Sequence, residues 1–149
     1  VYSLFQYSLP EQYNELASRL GIIAAFVYMA VLLLICFFNR RRISDKAVLG
    51  AALLFAIGIP FLLPHMHDRY FFAADILSLI LAFTAAEYFI AAVLVQFASL
   101  LGYHAYLKMR YLLLMDKGAA ALIASLAVTS IFFYNSLCEK KKKKRKINA

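Results

Sequence analysis

The sequence has little of what a disulfide-bonded or metal-stabilised domain needs. It contains two cysteines, Cys36 and Cys138, and no Cys/His spacing of the kind that binds zinc. Each cysteine lies near the end of an apolar stretch that the charge pattern assigns to the cytoplasmic side, where disulfides are rare. We therefore interpret both as structural thiols and predict no metal site.

A signal peptide is also missing from the start of the chain. The first residue is Val1, and Pro10, Glu11 and Glu15 occur before the first apolar run, where a signal peptide would have a basic segment. We expect the chain to be the C-terminal part of a longer protein whose N-terminal part is a missing partner. A truncated expression product or an incomplete gene would look the same.

Acidic residues are few, eight against sixteen Lys and Arg, and the net charge is +8. Much of the excess lies in the tail, at 140–146, and most of the rest in the short segment 40–46. Neither run is interleaved with aromatic residues as a groove for single-stranded nucleic acid would be. We therefore expect no nucleic-acid partner.

What the sequence has in abundance is apolar surface. Hydrophobic residues make up 64% of the chain, and the mean hydropathy is +0.75, whereas ordinary soluble domains are about 45–50% apolar. A soluble domain of this size could not bury so much apolar surface in its core. The composition therefore predicts an all-α, polytopic transmembrane helix bundle with membrane lipid as its surroundings.

Five apolar stretches are predicted to span the membrane, at 21–38, 47–63, 70–83, 87–106 and 118–134. Residues 71–102 are too many for one span of roughly 20 residues, and Thr84 and Glu87 interrupt them, so we divide this stretch at a tight turn. The third span is short unless residues Asp68 to Tyr70 form its first turn. In the alternative, one of the last three segments is re-entrant or lies in the interface.

Basic residues predict the sidedness of these spans. By the positive-inside rule, 39–46 and the tail 139–149 are cytoplasmic, and 64–70 is then extracytoplasmic. Residues 1–20 contain interfacial tyrosines and are predicted to be an extracytoplasmic interfacial segment before the transmembrane region, 21–138. The loop 103–117 also falls outside although it carries three Lys or Arg, which argues against five crossings.

Four polar residues stand close together between the second and third spans: His65, His67, Asp68 and Arg69. A guanidinium group offers a planar fork for phosphate oxygens, and a histidine adds a donor or carries a proton near neutral pH. This combination at the mouth of a helix bundle favours an anionic ligand. Two other interpretations stay open: a loop that reaches lipid headgroups, and a weaker one, metal chelation by the histidines with Asp68.

The run from Leu62 to Leu79 resembles a signature of polytopic glycosyltransferases of the GT-C type. It is similar to bacterial relatives of the GPI mannosyltransferases and the dolichyl-phosphate-mannose mannosyltransferases, whose pattern is approximately Leu-Pro-x-Met-His-Glu-Arg-Tyr. The chain departs from the pattern at Asp68, where the family more often has Glu. The positions that match are Pro64, Met66, His67, Arg69 and Tyr70.

The resemblance implies a bacterial plasma-membrane enzyme that moves a sugar, mannose-like, from a polyprenyl-phosphate donor to an extracytoplasmic acceptor. His67 and Arg69, with His65 beside them, would hold the donor phosphate. Asp68 would orient Arg69 or bind the acceptor, and Tyr70 would pack at the lip of the site. The catalytic acids of this family lie in an earlier extracytoplasmic loop, so we expect no catalytic residue here and no transfer by this chain alone. Divalent-metal assistance stays open.

Further polar residues lie within the spans. Asp75, about two turns below Arg69, is a supporting site residue that could answer Arg69 or Arg19, or be hydrated. Gln96 and Ser99 share one helix face and are expected to make interhelical hydrogen bonds. The competing function is a small non-enzymatic polytopic membrane protein, such as a transporter subunit or a flippase-like helper.

Overall fold

The computed structural model describes residues 11–41, 43–63, 68–108 and 115–147, and every regular element in these ranges is helical. Two 3₁₀ turns, Asp68–Phe71 and Ala86–Tyr88, lead into the third and fourth α-helices. The prediction of an all-α helix bundle is confirmed. The α-helices are α1 (Glu11–Phe38), α2 (Asp45–Leu62), α3 (Phe72–Thr84), α4 (Phe89–Lys108) and α5 (Met115–Ile147).

The length and composition of the helices identify an integral membrane protein. Among the residues that the structure describes, four segments are long and apolar enough to cross a bilayer: Glu15–Phe38, Asp45–Leu62, Ala86–His104 and Lys117–Leu137. The fifth helix, α3, has only 13 residues. With the preceding 3₁₀ turn it extends about 28 Å, close to the roughly 30 Å of the hydrocarbon core. The predicted third span is short unless Asp68 to Tyr70 form its first turn, and the 3₁₀ turn Asp68–Phe71 is such a turn.

Two helices continue past predicted segment boundaries. The predicted first span, 21–38, is the second part of α1, which begins at Glu11 and continues unbroken to Phe38, and residues 1–10 of the predicted interfacial segment lie outside the described residues. The tail was predicted as a separate segment from 139, but α5 continues to Ile147. Both extensions lack the Pro or Gly that would end a helix.

Local hydrogen bonds explain where two of the helices begin or end. At the start of α2, the Ser44 hydroxyl accepts a hydrogen bond from the Ala47 amide, which is N-cap geometry. At the end of α3, the Thr84 hydroxyl donates to the Ile80 carbonyl, 3.0 Å away, and Ala85 is extended. The predicted turn between the third and fourth spans therefore lies at Ala85, where the long apolar stretch folds back.

Successive helices run antiparallel, so the bundle has two distinct ends. The basic end contains the C-termini of α1, α3 and α5 and the N-termini of α2 and α4. The motif end contains the opposite termini, including the 3₁₀ turn Asp68–Phe71. Contacts between α2 and α5 at the basic end, where Ala47 and Leu137 belong to one buried cluster, fix this arrangement.

Helix α5 packs against both α2 and α4. Along α4 and α5, small residues let the backbones approach closely, and the buried Ser125 hydroxyl donates to the Ala91 carbonyl, 3.2 Å away. The fully buried Tyr88 packs its ring against Phe132, with 5.4 Å between ring centroids, and its hydroxyl faces Gly50 of α2. From the 3₁₀ turn that leads into α4, Tyr88 thus contacts both α2 and α5.

The outer surface is apolar, as contact with lipid requires. In α1 only 11% of the membrane-crossing residues are buried, against 39% in α2 and α4, so α1 lies at the periphery. On α3 the buried positions Ala74, Ser78 and Leu81 form a narrow inner stripe, and Phe83 on the opposite side is 90% exposed. Such a surface is stable in hydrocarbon and not in water.

Candidate functional site at the motif end

The structure describes the predicted site residues to different extents. His65 and His67 lie in the segment 64–67, outside the described residues. Asp68 and Arg69 form the first half of the 3₁₀ turn Asp68–Phe71. The structure describes the backbone of these two residues but not their side chains. Tyr70 is 54% exposed at the surface of the bundle, and Asp75 lies one turn further along α3.

The 3₁₀ turn is built into the bundle and does not project from it. It contacts α2 and α4 as well as α3. Phe71, its last residue, and Phe61, near the end of α2, both pack against the same buried apolar cluster. The backbone that follows the motif is therefore anchored by apolar contacts on two sides, which gives Asp68 and Arg69 a defined position at the mouth of the bundle.

Directly below this turn, the Asp75 carboxylate receives hydroxyl donors from α4. The Ser99 hydroxyl donates to Oδ1 of Asp75, and the Tyr103 hydroxyl makes a longer hydrogen bond, 3.4 Å, to Oδ2. Both carboxylate oxygens are thus engaged by side chains of the neighbouring helix. We call the group formed by Asp75, Ser99, Tyr103 and Gln96 the Asp75 latch.

Gln96 completes the latch by binding the backbone of α3. Its side-chain nitrogen donates to the Asp75 carbonyl, 3.0 Å away, and lies 3.4 Å from the hydroxyl oxygen of Ser78. Ser78 is fully buried and donates its own hydrogen bond to the Asp75 carbonyl at 2.9 Å. Side chains from three positions of α4 therefore hold one turn of α3 by both its carboxylate and its backbone.

The sequence left three roles open for Asp75, of which the contact with Arg69 falls on a side chain outside those that the structure describes. Arg19 is not its partner, because its guanidinium forms an exposed ion pair with Glu15, 2.7 Å away on the same helix. A carboxylate between apolar helices is unfavourable unless hydrogen-bond donors offset the loss of water. The hydroxyl groups of Ser99 and Tyr103 supply that compensation.

The interhelical role predicted for Gln96 and Ser99 is confirmed, but the role of Tyr103 was not found from the sequence. The available signal was spacing: positions 96, 99 and 103 recur at three and four residues and lie on one face of a helix. Asp75 is an acid in the preceding span, so hydrogen bonds between its carboxylate and that helix face could have been predicted.

No group of three His, Cys, Asp or Glu residues that could hold a metal ion occurs within the part of the chain that the structure describes. The two histidines of the motif lie outside that part, so the chelation alternative is not addressed by it. Comparisons of the chain with protein-family models, with curated proteins and with solved structures found no significant match.

Proposed function

We propose that this chain is the membrane part of a glycosyltransferase that moves a mannose-like sugar from a polyprenyl-phosphate donor to an extracytoplasmic acceptor. Its role is to hold the donor phosphate at the motif end. The observation that carries the proposal is the junction of the Pro64–Tyr70 motif with a 3₁₀ turn that is anchored on α2 and α4. A polar sequence that continues into an anchored turn at the mouth of a lipid-embedded bundle suits a substrate with a charged head and an isoprenoid tail.

The residues of the motif supply the chemistry that a phosphate diester requires. Arg69 offers two parallel N–H donors to phosphate oxygens, and His65 and His67 add further donors when protonated. Asp68 orients the guanidinium of Arg69 or receives the acceptor, and Tyr70 borders the site. Stabilisation of the departing phosphate is the contribution of these groups to transfer.

The general base that activates the acceptor hydroxyl is a separate requirement. The resemblance that motivates the proposal puts the catalytic acids in another extracytoplasmic loop. We therefore expect the purified chain to bind the donor without transferring its sugar. Sugar transfer by the purified chain would contradict this division of labour.

The charge distribution supports an extracytoplasmic motif end. Arg40 and Arg41 are exposed at the basic end, and α5 continues as a helix into seven consecutive basic residues at 140–146. The positive-inside rule puts such clusters on the cytoplasmic side. With the bundle in a bacterial plasma membrane, the motif then faces the side on which polyprenyl-phosphate sugars are used by the enzymes it resembles.

Removal of the motif cations tests the proposal directly. In the full-length protein in native membranes, we expect Arg69→Ala and His67→Ala each to reduce sugar transfer from a polyprenyl-phosphate donor at least about a hundredfold, because each loses a charge-assisted contact to the phosphate. Expression and the detergent melting temperature should stay unchanged.

Arg41→Ala is the matched control, because it removes an exposed arginine at the opposite end of the bundle. We expect it to retain full transfer. Normal transfer by both motif variants, or an equal loss in Arg41→Ala, would contradict the assignment of the donor phosphate to the motif.

A second candidate function, a non-enzymatic helper that binds or translocates a polyprenyl phosphate, is favoured by one observation. The Asp75 latch is a polar group inside the bundle, and such groups often mark transport paths. Donor binding by the full-length protein that depends on Arg69, with no transfer to any acceptor, would favour this helper over the transferase.

A further inference from the structure

The start of α3 has polar contacts from a neighbouring helix in place of a side-chain cap of its own. Its N-cap residue is Phe71, which makes no side-chain cap hydrogen bond, although the first amides of a helix need partners. The helix is short, so few intrahelical bonds resist fraying of this end. The polar side chains that contact its first turns come from α4, through Asp75 and Ser78.

We infer that Asp75 is a positioning residue for the 3₁₀ turn Asp68–Phe71, and through that turn for the group that binds the donor phosphate. Asp75 lies one helical turn after Phe71, so fixing its carboxylate on α4 fixes the rotation and depth of the turn. The inference deepens the proposed function. The identity of the ligand rests on the proposed function, whereas the mechanical role of the latch does not.

The geometry argues against direct contact between Asp75 and the phosphate. Both of its oxygens accept hydrogen bonds from α4, and a carboxylate would repel an anionic ligand. The half-buried side chain also lies against Ser99 and Tyr103, on the inner side of α3. Its effect on the motif is therefore carried by the backbone between Phe71 and Asp75.

Conservative and disruptive variants separate positioning from charge. Asp75→Asn keeps an oxygen for Ser99 and offers an amide donor to the Tyr103 oxygen, so it preserves the latch without the charge. Asp75→Ala removes the carboxylate part of the latch from α3, and the double variant Ser99→Ala/Tyr103→Phe removes the hydroxyl donors to it from α4, while the bond from Gln96 to the carbonyl of residue 75 stays in both. The double variant also tests the latch if Asp75→Ala fails to fold.

Two measurements on the full-length protein in lipid nanodiscs give independent results. The first is hydrogen exchange of the backbone amides between residues 70 and 78. The second is the affinity for a polyprenyl phosphate without sugar. For Asp75→Ala and for the double variant we expect about tenfold faster exchange and about tenfold weaker binding, whereas Asp75→Asn should stay within about threefold of wild type in both.

Ser125→Ala is the matched control, since it deletes a buried interhelical hydrogen bond of the same kind, to the Ala91 carbonyl. We expect exchange at residues 70–78 and lipid binding to be unchanged in it. Unchanged exchange in Asp75→Ala and in the double variant would overturn the inference. So would a loss of binding in Asp75→Asn equal to that in Asp75→Ala, because the charge itself would then act.

Failure of the proposed function gives a different pattern. If wild-type protein does not bind the polyprenyl phosphate, the donor assignment is wrong, and the exchange data alone then support or overturn the positioning role.

Discussion

At the scale of single residues, Tyr28 is the main polar attachment of the peripheral helix α1. Its hydroxyl donates to the Leu54 carbonyl of α2, 3.0 Å away, and its ring lies over Gly58. Since α1 buries few of its residues, this contact carries a large share of the specificity with which α1 docks. The glycine is needed because a side chain at 58 would occupy the space of the ring.

We predict that Gly58→Ala destabilises the protein by about 1–3 kcal/mol, as overpacking commonly does. The new Cβ would lie 2.6 Å from the Tyr28 hydroxyl oxygen, so the ring must move and its bond to Leu54 is lost. Thermal unfolding in detergent measures the effect.

Gly118→Ala is its control, because there the nearest atom to a new Cβ is Cδ1 of Leu101 at an ordinary 3.8 Å. We expect it to be neutral or stabilising, since alanine is the better helix former. Equal melting temperatures for the two alanine variants would show that the ring does not depend on Gly58.

Hydrogen-bond partners were the least predictable feature at this scale. The sequence identified Asp75 as a costly charge in a span and put Gln96 and Ser99 on one helix face, but not that these groups meet. Their meeting depends on the relative rotation of α3 and α4, which is set by packing of Ala74, Ser78 and Leu81 against the core. Tyr28 and Leu54 meet for the same kind of reason.

At the scale of elements, α3 is the helix on which the number of crossings depends. It is too short to cross by itself, yet it follows α4 along its length, from Asp75 beside Ser99 at the motif end to the turn at Ala85. The interfacial or re-entrant alternative would need a different orientation of this helix. A crossing made of α3 and the preceding 3₁₀ turn agrees with the hydrogen bonds to α4.

We predict that a cysteine at Ile80, on the exposed face of α3, is protected from a charged maleimide and quenched by a lipid-borne spin label when it carries a fluorophore. A cysteine at Glu87, exposed in the turn before α4, should react readily. Both variants need serine at the native positions Cys36 and Cys138.

Rapid reaction of the Ile80 cysteine with the charged reagent would instead place α3 in water or in the headgroup region. The comparison with position 87 excludes a general lack of access to this side of the membrane.

The helices themselves were predictable because apolar length decides them, whereas their ends were not. Thr84 and Glu87 correctly indicated a break in the long apolar stretch, which lies at Ala85. The sequence did not indicate that α1 continues unbroken across position 21 and α5 across position 139, because helices continue through polar sequence once a neighbouring apolar turn has formed.

At the scale of the whole molecule, charge separates the two ends of the bundle. By position in the chain, eleven of the sixteen Lys and Arg and three of the eight acids belong to the basic end, which leaves five of each sign elsewhere. The net charge of +8 is therefore that of the basic end. Anionic lipid attracts such a cluster by about 1 kcal/mol for each basic residue near the surface.

The asymmetry predicts that the two ends of the bundle lie on opposite sides of the membrane. In sealed vesicles of known orientation, cysteines at Arg41 and at Tyr70, both exposed, should react with an impermeant reagent from opposite sides. Position 41 should react from the cytoplasmic side. Labelling of both positions from one side would exclude an odd number of crossings between them and the proposed sidedness of the motif.

The fold class and the separation of charge followed from composition and from the order of apolar and basic segments. Function did not follow in the same way, because it depends on a short motif whose resemblance is confined to one segment. What the structure adds to that motif is a physical setting: a turn anchored on two helices, above a carboxylate that α4 holds in place.

Photoaffinity labelling with a polyprenyl phosphate that carries a photoreactive group near its phosphate is the most direct test of whether the motif end binds the donor phosphate. Labelled full-length protein in membranes would be digested, and the modified peptides identified by mass spectrometry. We predict an adduct within residues 64–75 that unlabelled polyprenyl phosphate displaces and that is lost in Arg69→Ala but not in Arg41→Ala. An adduct confined to the basic end, or one that is undiminished in Arg69→Ala, would contradict donor binding at the motif end.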